Sequence, residues 1–145
     1  MRAARQPEVA GAGLRLPSEH ARRLIDHARQ ELPNEACALL GGDGATGTVT
    51  SLHLARNRLA SPYRFDVEPE DLVRTLHDIE AAGEALVAIF HSHPGTPAVL
   101  SPSDLREARY PAVQLVASLV EPGLPVLRAW RIGADDVNEV PLLVV

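Results

Sequence analysis

Leu86-Val87-Ala88-Ile89-Phe90-His91-Ser92-His93-Pro94-Gly95 is the stretch that decides how this chain folds and where its chemistry sits. Its first five residues are apolar without a break, as in a strand covered on both faces. A side-chain period of 2 then puts Val87, Ile89, His91 and His93 on one side, and Leu86, Ala88, Phe90 and Ser92 on the other. The two imidazoles emerge from one face with Cα atoms about 7 Å apart, a reachable spacing for two ligands of one metal ion. Pro94-Gly95 ends the strand. Beyond that turn Asp104, eleven residues after His93, can fold back as a third ligand. Three nitrogen or oxygen ligands without a thiolate leave the fourth position of a tetrahedral zinc to water, the pattern of a catalytic and not a closed structural site.

The flanking sequence reads as alternating helices and strands. Residues 1–13, rich in Ala, Gly and Arg, are expected to form a flexible tail, and residues 14–145 a single domain. Ser18 can cap a helix in which Ala21, Leu24, Ile25, Ala28 and Leu32 recur at helical spacing, with Pro33-Asn34 as its stop. A strand over 36–40, a turn at Gly41-Gly42-Asp43-Gly44 and a strand over 47–56 follow, then a short strand at Tyr63-Arg64-Phe65. Glu68-Pro69-Glu70 opens a second helix, with Leu72, Val73, Leu76 and Ile79 as its buried stripe and Gly83 as its stop. After the His-Ser-His strand, Ser101-Pro102-Ser103-Asp104 opens a short helix. Strands are expected near 113–120, 125–132 and 140–144. The pattern predicts an α/β (α+β) domain with one main sheet flanked by helices.

Composition narrows the function classes. The chain has 145 residues and 46% apolar content, enough to bury roughly two-thirds of its unfolded surface in one core. No apolar run approaches the ~20 residues of a membrane span, and the N-terminal residues lack the apolar core of a signal peptide. Cys37 is the only cysteine, consistent with a reducing cytoplasmic setting. A net charge of −5 argues against nucleic-acid binding. All fourteen basic residues are arginine.

The run His91-Ser92-His93, then Ser101 and Asp104, resembles the motif of the JAMM (MPN+) zinc metallopeptidases, a distant glutamate followed by H-S/T-H-x7-S-x-x-D. Glu35, in Asn34-Glu35-Ala36-Cys37-Ala38-Leu39-Leu40-Gly41-Gly42, stands where that family carries its glutamate, at the edge of a strand after the first helix. Glu31 is the nearest rival but falls inside the predicted helix. The resemblance extends from about residue 16 to the C-terminus. It implies the JAMM fold, a curved mixed β-sheet flanked by helices, and one catalytic zinc held by His91, His93 and Asp104 with water as fourth ligand. It also implies Glu35 as general base and Ser101 as a hydrogen-bond donor to the developing oxyanion. Capping the 101–109 helix is an equally good duty for Ser101.

Members of this family cleave bonds made by the C-terminal Gly-Gly of ubiquitin-like proteins. Only seven residues separate His93 from Ser101, which looks like the small prokaryotic members. The implied partner is a ubiquitin-like sulfur-carrier protein with a C-terminal Gly-Gly, from which cysteine is released without a covalent intermediate. An isopeptidase acting on modified lysines and a silent scaffold are the alternatives, though no ligand of the motif is missing. Of the remaining residues, Cys37 reads as a buried thiol and His20 and His27 as exposed. His53 and His77 show no partner pattern. Asn57 and Ser61-Pro62 are candidate substrate contacts, and Trp130 fills a core or surface groove. Nothing in the sequence fixes the oligomeric state.

Overall fold

The computed structural model of the chain describes residues 13–145, so the tail expected over 1–13 lies outside the described residues except for Gly13. Eight strands make one mixed sheet: β1 (Leu14–Leu16), β2 (Cys37–Asp43), β3 (Thr48–Ala55), β4 (Ala85–His93), β5 (Val113–Ser118), β6 (Val126–Ile132), β7 (Val137–Val140) and β8 (Leu142–Val144). Three helices flank it among the described residues: α1 (Ser18–Gln30), α2 (Pro69–Ala81) and α3 (Pro102–Glu107). The strand order is β7-β6-β5-β4-β2-β3-β1-β8. β4 runs parallel to β5, and β1 parallel to both β3 and β8, while the other pairs are antiparallel. β7 and β8 stand at opposite ends of this order, yet Pro141 alone separates them in sequence. Two Cα–Cα steps span at most about 7.6 Å. The sheet therefore curls until its edges almost meet. Gly13 sits against this corner at φ 84°, where any side chain would collide with the Pro141 carbonyl.

The two faces of the sheet bury separate clusters. Leu14, Leu16, Ala38, Leu40, Phe90 and Leu115 belong to the larger one, with Leu24 and Ala28 of α1 packed among them. Leu39, Ile89 and Ala112 form the smaller, covered by Phe65, Leu72 and Leu86. Burial on both sides explains the unbroken apolar run in β4. A bulge alters its phase, however. Leu40 pairs with Ala88 and Gly41 with Leu86, leaving Val87 as the extra residue. Val87 therefore joins the larger cluster and Leu86 the smaller, the reverse of strict alternation. From Ala88 onward the alternation holds, and it carries His91 and His93 out on the Ile89 side.

Several local expectations are corrected. Pro17, not Ser18, takes the N-cap position of α1, and the Ser18 N–H donates to the Val145 carbonyl at 2.7 Å. His27 is buried, with Nε2 3.0 Å from the Cys37 carbonyl oxygen, so this histidine pins α1 to β2 instead of facing water. In α2 the buried positions are Asp71, Thr75 and Ile79, while Val73 is 69% exposed. Asp71 turns the helix this way because its carboxylate accepts from the Arg56 backbone and guanidinium and from Arg74. Those donors hold its carboxyl well below the usual carboxylate range. Tyr63-Arg64-Phe65 is not a strand. It lies in a loop closed by an Asn57–Val67 bridge, in which Asn57 Oδ1 accepts from the Leu59 and Asp66 N–H groups and Nδ2 donates to the Arg64 carbonyl. One side chain thus supplies the pairing a neighbouring strand would give. The last expected strand is two, β7 and β8, broken at Pro141. No helix among the described residues is long and apolar enough to cross a membrane.

Candidate metal centre

His91 and His93 end β4 and are buried. Asp104 reaches them from the first turn of α3. Its Oδ2 lies 3.0 Å from His91 Nε2 and 3.2 Å from His93 Nε2, and the two Nε2 atoms are 3.2 Å apart. Four ligands at the usual zinc distances of about 2.0–2.2 Å sit roughly 3.3 Å from one another, so this triangle matches one face of a zinc tetrahedron. Two imidazole nitrogens aimed at each other and at one carboxylate oxygen are what a cation site requires. No other group of three or more His, Cys, Asp or Glu among the described residues converges this way.

Each partner is held in place from behind. His93 Nδ1 is 2.8 Å from the Pro97 carbonyl, which can only accept, so Nδ1 carries the hydrogen and Nε2 is left to ligate. The loop bearing Pro97 is fastened through three successive carbonyls: Thr96 accepts from Ser118, Pro97 from His93, and Ala98 from the Trp130 indole at 2.9 Å. Asp104 is fixed by a capping box. Ser101 Oγ accepts from the Asp104 N–H at 3.1 Å, and the Ser101 N–H donates to Asp104 Oδ2 at 2.9 Å. Ser103 Oγ lies 3.1 Å from Ser101 Oγ. If Ser103 donates there, the Ser101 hydroxyl hydrogen is free to point elsewhere.

Glu35 lies between α1 and β2, with its N–H donating to the Ser61 carbonyl at 2.8 Å and its carbonyl accepting from Asn57 Nδ2 at 3.0 Å. The residue as a whole is 3% exposed, and its Oε1 is buried without a hydrogen-bond partner. Burial pushes its pKa up to about 8, with His93 pulling it down and Asp104 adding to the rise. Glu31 is the C-cap residue of α1 and is not part of the cluster. Burial alone would raise the Asp104 carboxyl, but hydrogen bonds from both imidazoles hold it below the ordinary range. Burial lowers His91. It also opposes charge on His93, where Asp104 and the Pro97 carbonyl more than offset it and raise the pKa.

Ser92, between the two histidines, has a duty that was not apparent from the sequence. It is fully buried on the opposite face, where Oγ accepts from the Ala36 N–H at 2.8 Å and its own N–H donates to the Ala36 carbonyl. It ties the residue after Glu35 to the ligand strand. A hydroxyl on the face of Ala88 and Phe90 was the available signal, because a buried hydroxyl needs a partner. Asn57 and Ser61 likewise hold Glu35 through the backbone. Cys37 opposes His91 in register, and burial pushes its thiol up to about 12, which suits an inert side chain. Beside Asp104 opens a groove of about 200 Å³ floored by Leu39, Phe65 and Ile89 and rimmed by Arg58, Arg64 and Arg109.

The curled mixed sheet with these helices is the JAB/MPN type of fold. Residues 17–133 match the family described as prokaryotic homologs of the JAB domain, and the chain belongs to that family as a JAB-type hydrolase. It is 35% identical to a desampylase of Haloferax volcanii over 94% of this chain and 99% of that one. It is 31% identical to a CysO-cysteine peptidase of Mycobacterium tuberculosis over 84% of each. A protein of Desulfitobacterium hafniense solved in solution superposes with a TM-score of 0.84 at 36% identity, covering 92% of this chain and 93% of that one. The family expected from the His-Ser-His motif is thereby borne out.

Proposed function

We propose that the chain is a zinc-dependent peptidase that hydrolyses the amide bond after the C-terminal Gly-Gly of a ubiquitin-like sulfur-carrier protein and releases cysteine. The observation that carries this reading is the triangle of His91 Nε2, His93 Nε2 and Asp104 Oδ2 beside a buried glutamate oxygen with no partner. His91, His93 and Asp104 would hold the zinc, which would supply Lewis-acid polarisation of a carbonyl and acidify a water toward a pKa of about 7. Glu35 takes the proton of the attacking water at its carboxylate and returns one to the leaving amine. Ser101 donates its hydroxyl hydrogen to the oxygen that becomes negative, while its lone pair keeps the Asp104 N–H capped. Attack is by the activated water without a covalent intermediate, and the buried thiol of Cys37 takes no part.

A second reading, removal of a ubiquitin-like modifier from a lysine side chain, draws support from the desampylase, whose match spans more of the chain than that of the CysO-cysteine peptidase. Intact-mass analysis separates the two. The zinc-loaded protein is given a Gly-Gly carrier extended by cysteine, and the same carrier joined to a lysine side chain. Loss of cysteine alone supports the first reading, and release from lysine supports the second. Cleavage of neither defeats both.

A further inference from the structure

We infer that Phe65 is a positioning residue for His91, doing by ring stacking what a hydrogen bond does for His93; this rests on the zinc reading above. A ligating imidazole ordinarily donates its second N–H to a carboxylate, a carbonyl or water, and that partner sets the plane of the ring. His93 follows the rule through Pro97. His91 does not. It is fully buried, and its Nδ1 has no hydrogen-bond partner. The χ2 torsion of histidine is broad and roughly two-fold, so without a polar tether the ring can turn and carry Nε2 out of the ligand triangle.

Packing takes the place of the tether. The Phe65 ring lies on the His91 ring with centroids 4.5 Å apart and planes 17° from parallel. The His93 ring meets His91 at 60° and 5.0 Å, which does not support a face. A flat neighbour across the ring face resists the rotation that a missing N–H acceptor would otherwise permit.

Phe65 is itself well placed for this. Asn57 fixes the backbone on both sides of it, through the Arg64 carbonyl and the Asp66 N–H, and Arg64 pairs with Glu107 on α3 at 2.6 Å. The ring also lines the groove beside Asp104. One side chain thus stacks on His91 and lines the groove beside Asp104. A substrate chain settling in that groove bears on His91 through Phe65, without contacting the ligand.

The test compares Phe65→Leu, which keeps an apolar side chain but no ring face, with Phe65→Tyr, which keeps the face. The readouts are the zinc dissociation constant by chelator competition and the visible absorption of the cobalt-loaded protein, with far-ultraviolet circular dichroism of the metal-free form as the folding control. Phe65→Leu is expected to fold, to bind zinc about ten- to a hundredfold more weakly and to shift the cobalt band, with both restored in Phe65→Tyr. Parent-like zinc affinity and an unchanged cobalt band in folded Phe65→Leu overturn the inference. Should Phe65→Leu fail to fold, Phe65→Trp decides: ring-current shifts confined to the His91 imidazole protons support stacking, and unmoved His91 resonances overturn it. A parent that binds no zinc removes the zinc reading itself, whereas a zinc-binding parent with an indifferent Phe65→Leu removes this inference alone.

Discussion

The segment 94–101, between β4 and α3, and the segment 56–68, between β3 and α2, both overhang the candidate metal centre, and they are fastened by different means. The first is held from beneath: three consecutive carbonyls accept from Ser118, His93 and Trp130, each rooted in a strand. The second is stitched to itself by Asn57, tied to the Glu35 backbone by Asn57 and Ser61 and to Asp71 by Arg56, with Arg58–Asp66 and Arg64–Glu107 at its surface. Exposed ion pairs contribute roughly 0–1 kcal/mol each, whereas a buried carbonyl stripped of its donor costs about 1–3 kcal/mol. The loop that joins the two histidines to Asp104 is therefore the costlier of the two to loosen, and the surface ion pairs of the groove-lining segment are the cheaper contacts to lose. Under the proposed function, that division lets the His91–His93–Asp104 triangle keep its geometry while a substrate chain enters the groove.

Glu35→Gln, at the residue whose backbone segment 56–68 holds, should have the largest effect. Turnover is expected to fall by about 10²–10⁴ while zinc stoichiometry stays at the parental value, and a variant that stays active removes Glu35 as the base. The same variant has a pH signature in the metal-free protein. Between 4.5 and about 8 the folded chain holds a proton on Glu35 that the unfolded chain has released. Its contribution to stability is therefore fully present below 4.5 and lost as pH rises through 8. Thermal scans across that window should show the parent's midpoint falling relative to Glu35→Gln, and a constant difference would mean the carboxyl titrates normally.

Ser101→Ala comes next, in the first segment. Loss of both oxyanion donor and cap predicts a rate lower by about 10–10³-fold and a stability loss of about 1 kcal/mol. If stability alone moves, the serine is only a cap. The smallest effects sharpen the contrast between the loops directly. Trp130→Phe leaves the Ala98 carbonyl unpaired and should cost about 1–3 kcal/mol. Arg64→Ala, at a pair that is half exposed, should cost under about 1 kcal/mol and raise KM more than it lowers kcat. Equal losses in chemical denaturation would erase the distinction drawn here.

The ligand strand was readable because an apolar run followed by H-x-H leaves few options once side chains alternate. That Glu35 stands just before β2 and that Asp104 folds back on the two histidines was legible from the strand start and from the eleven-residue spacing after His93. What the sequence concealed depended on partners far along the chain. The bulge that exchanges Leu86 and Val87 arises from registry with Gly41 and leaves no mark in β4 itself. α2 turned toward Asp71 because of Arg56, fifteen residues away, so apolar periodicity chose Val73 wrongly. His27 looked solvent-facing because its acceptor is a backbone carbonyl of β2, which no residue type announces. Tyr63–Phe65 had the composition of a strand, but Asn57 claimed its hydrogen bonds first.

The corner at Pro141 has a consequence for how the molecule is put together. β1 and β8 pair Leu14 with Leu142, almost the two extremes of the described chain, whereas Glu35, His91, His93, Ser101 and Asp104 all come from its middle. Loop-closure entropy makes so distant a pairing the hardest to reach and the last to be rewarded. The working end can be assembled from β2, β4 and β5 before the chain's two arms are joined. In the folded chain β1 and β8 form a clasp between the first and last described strands, closed where Gly13 meets Pro141.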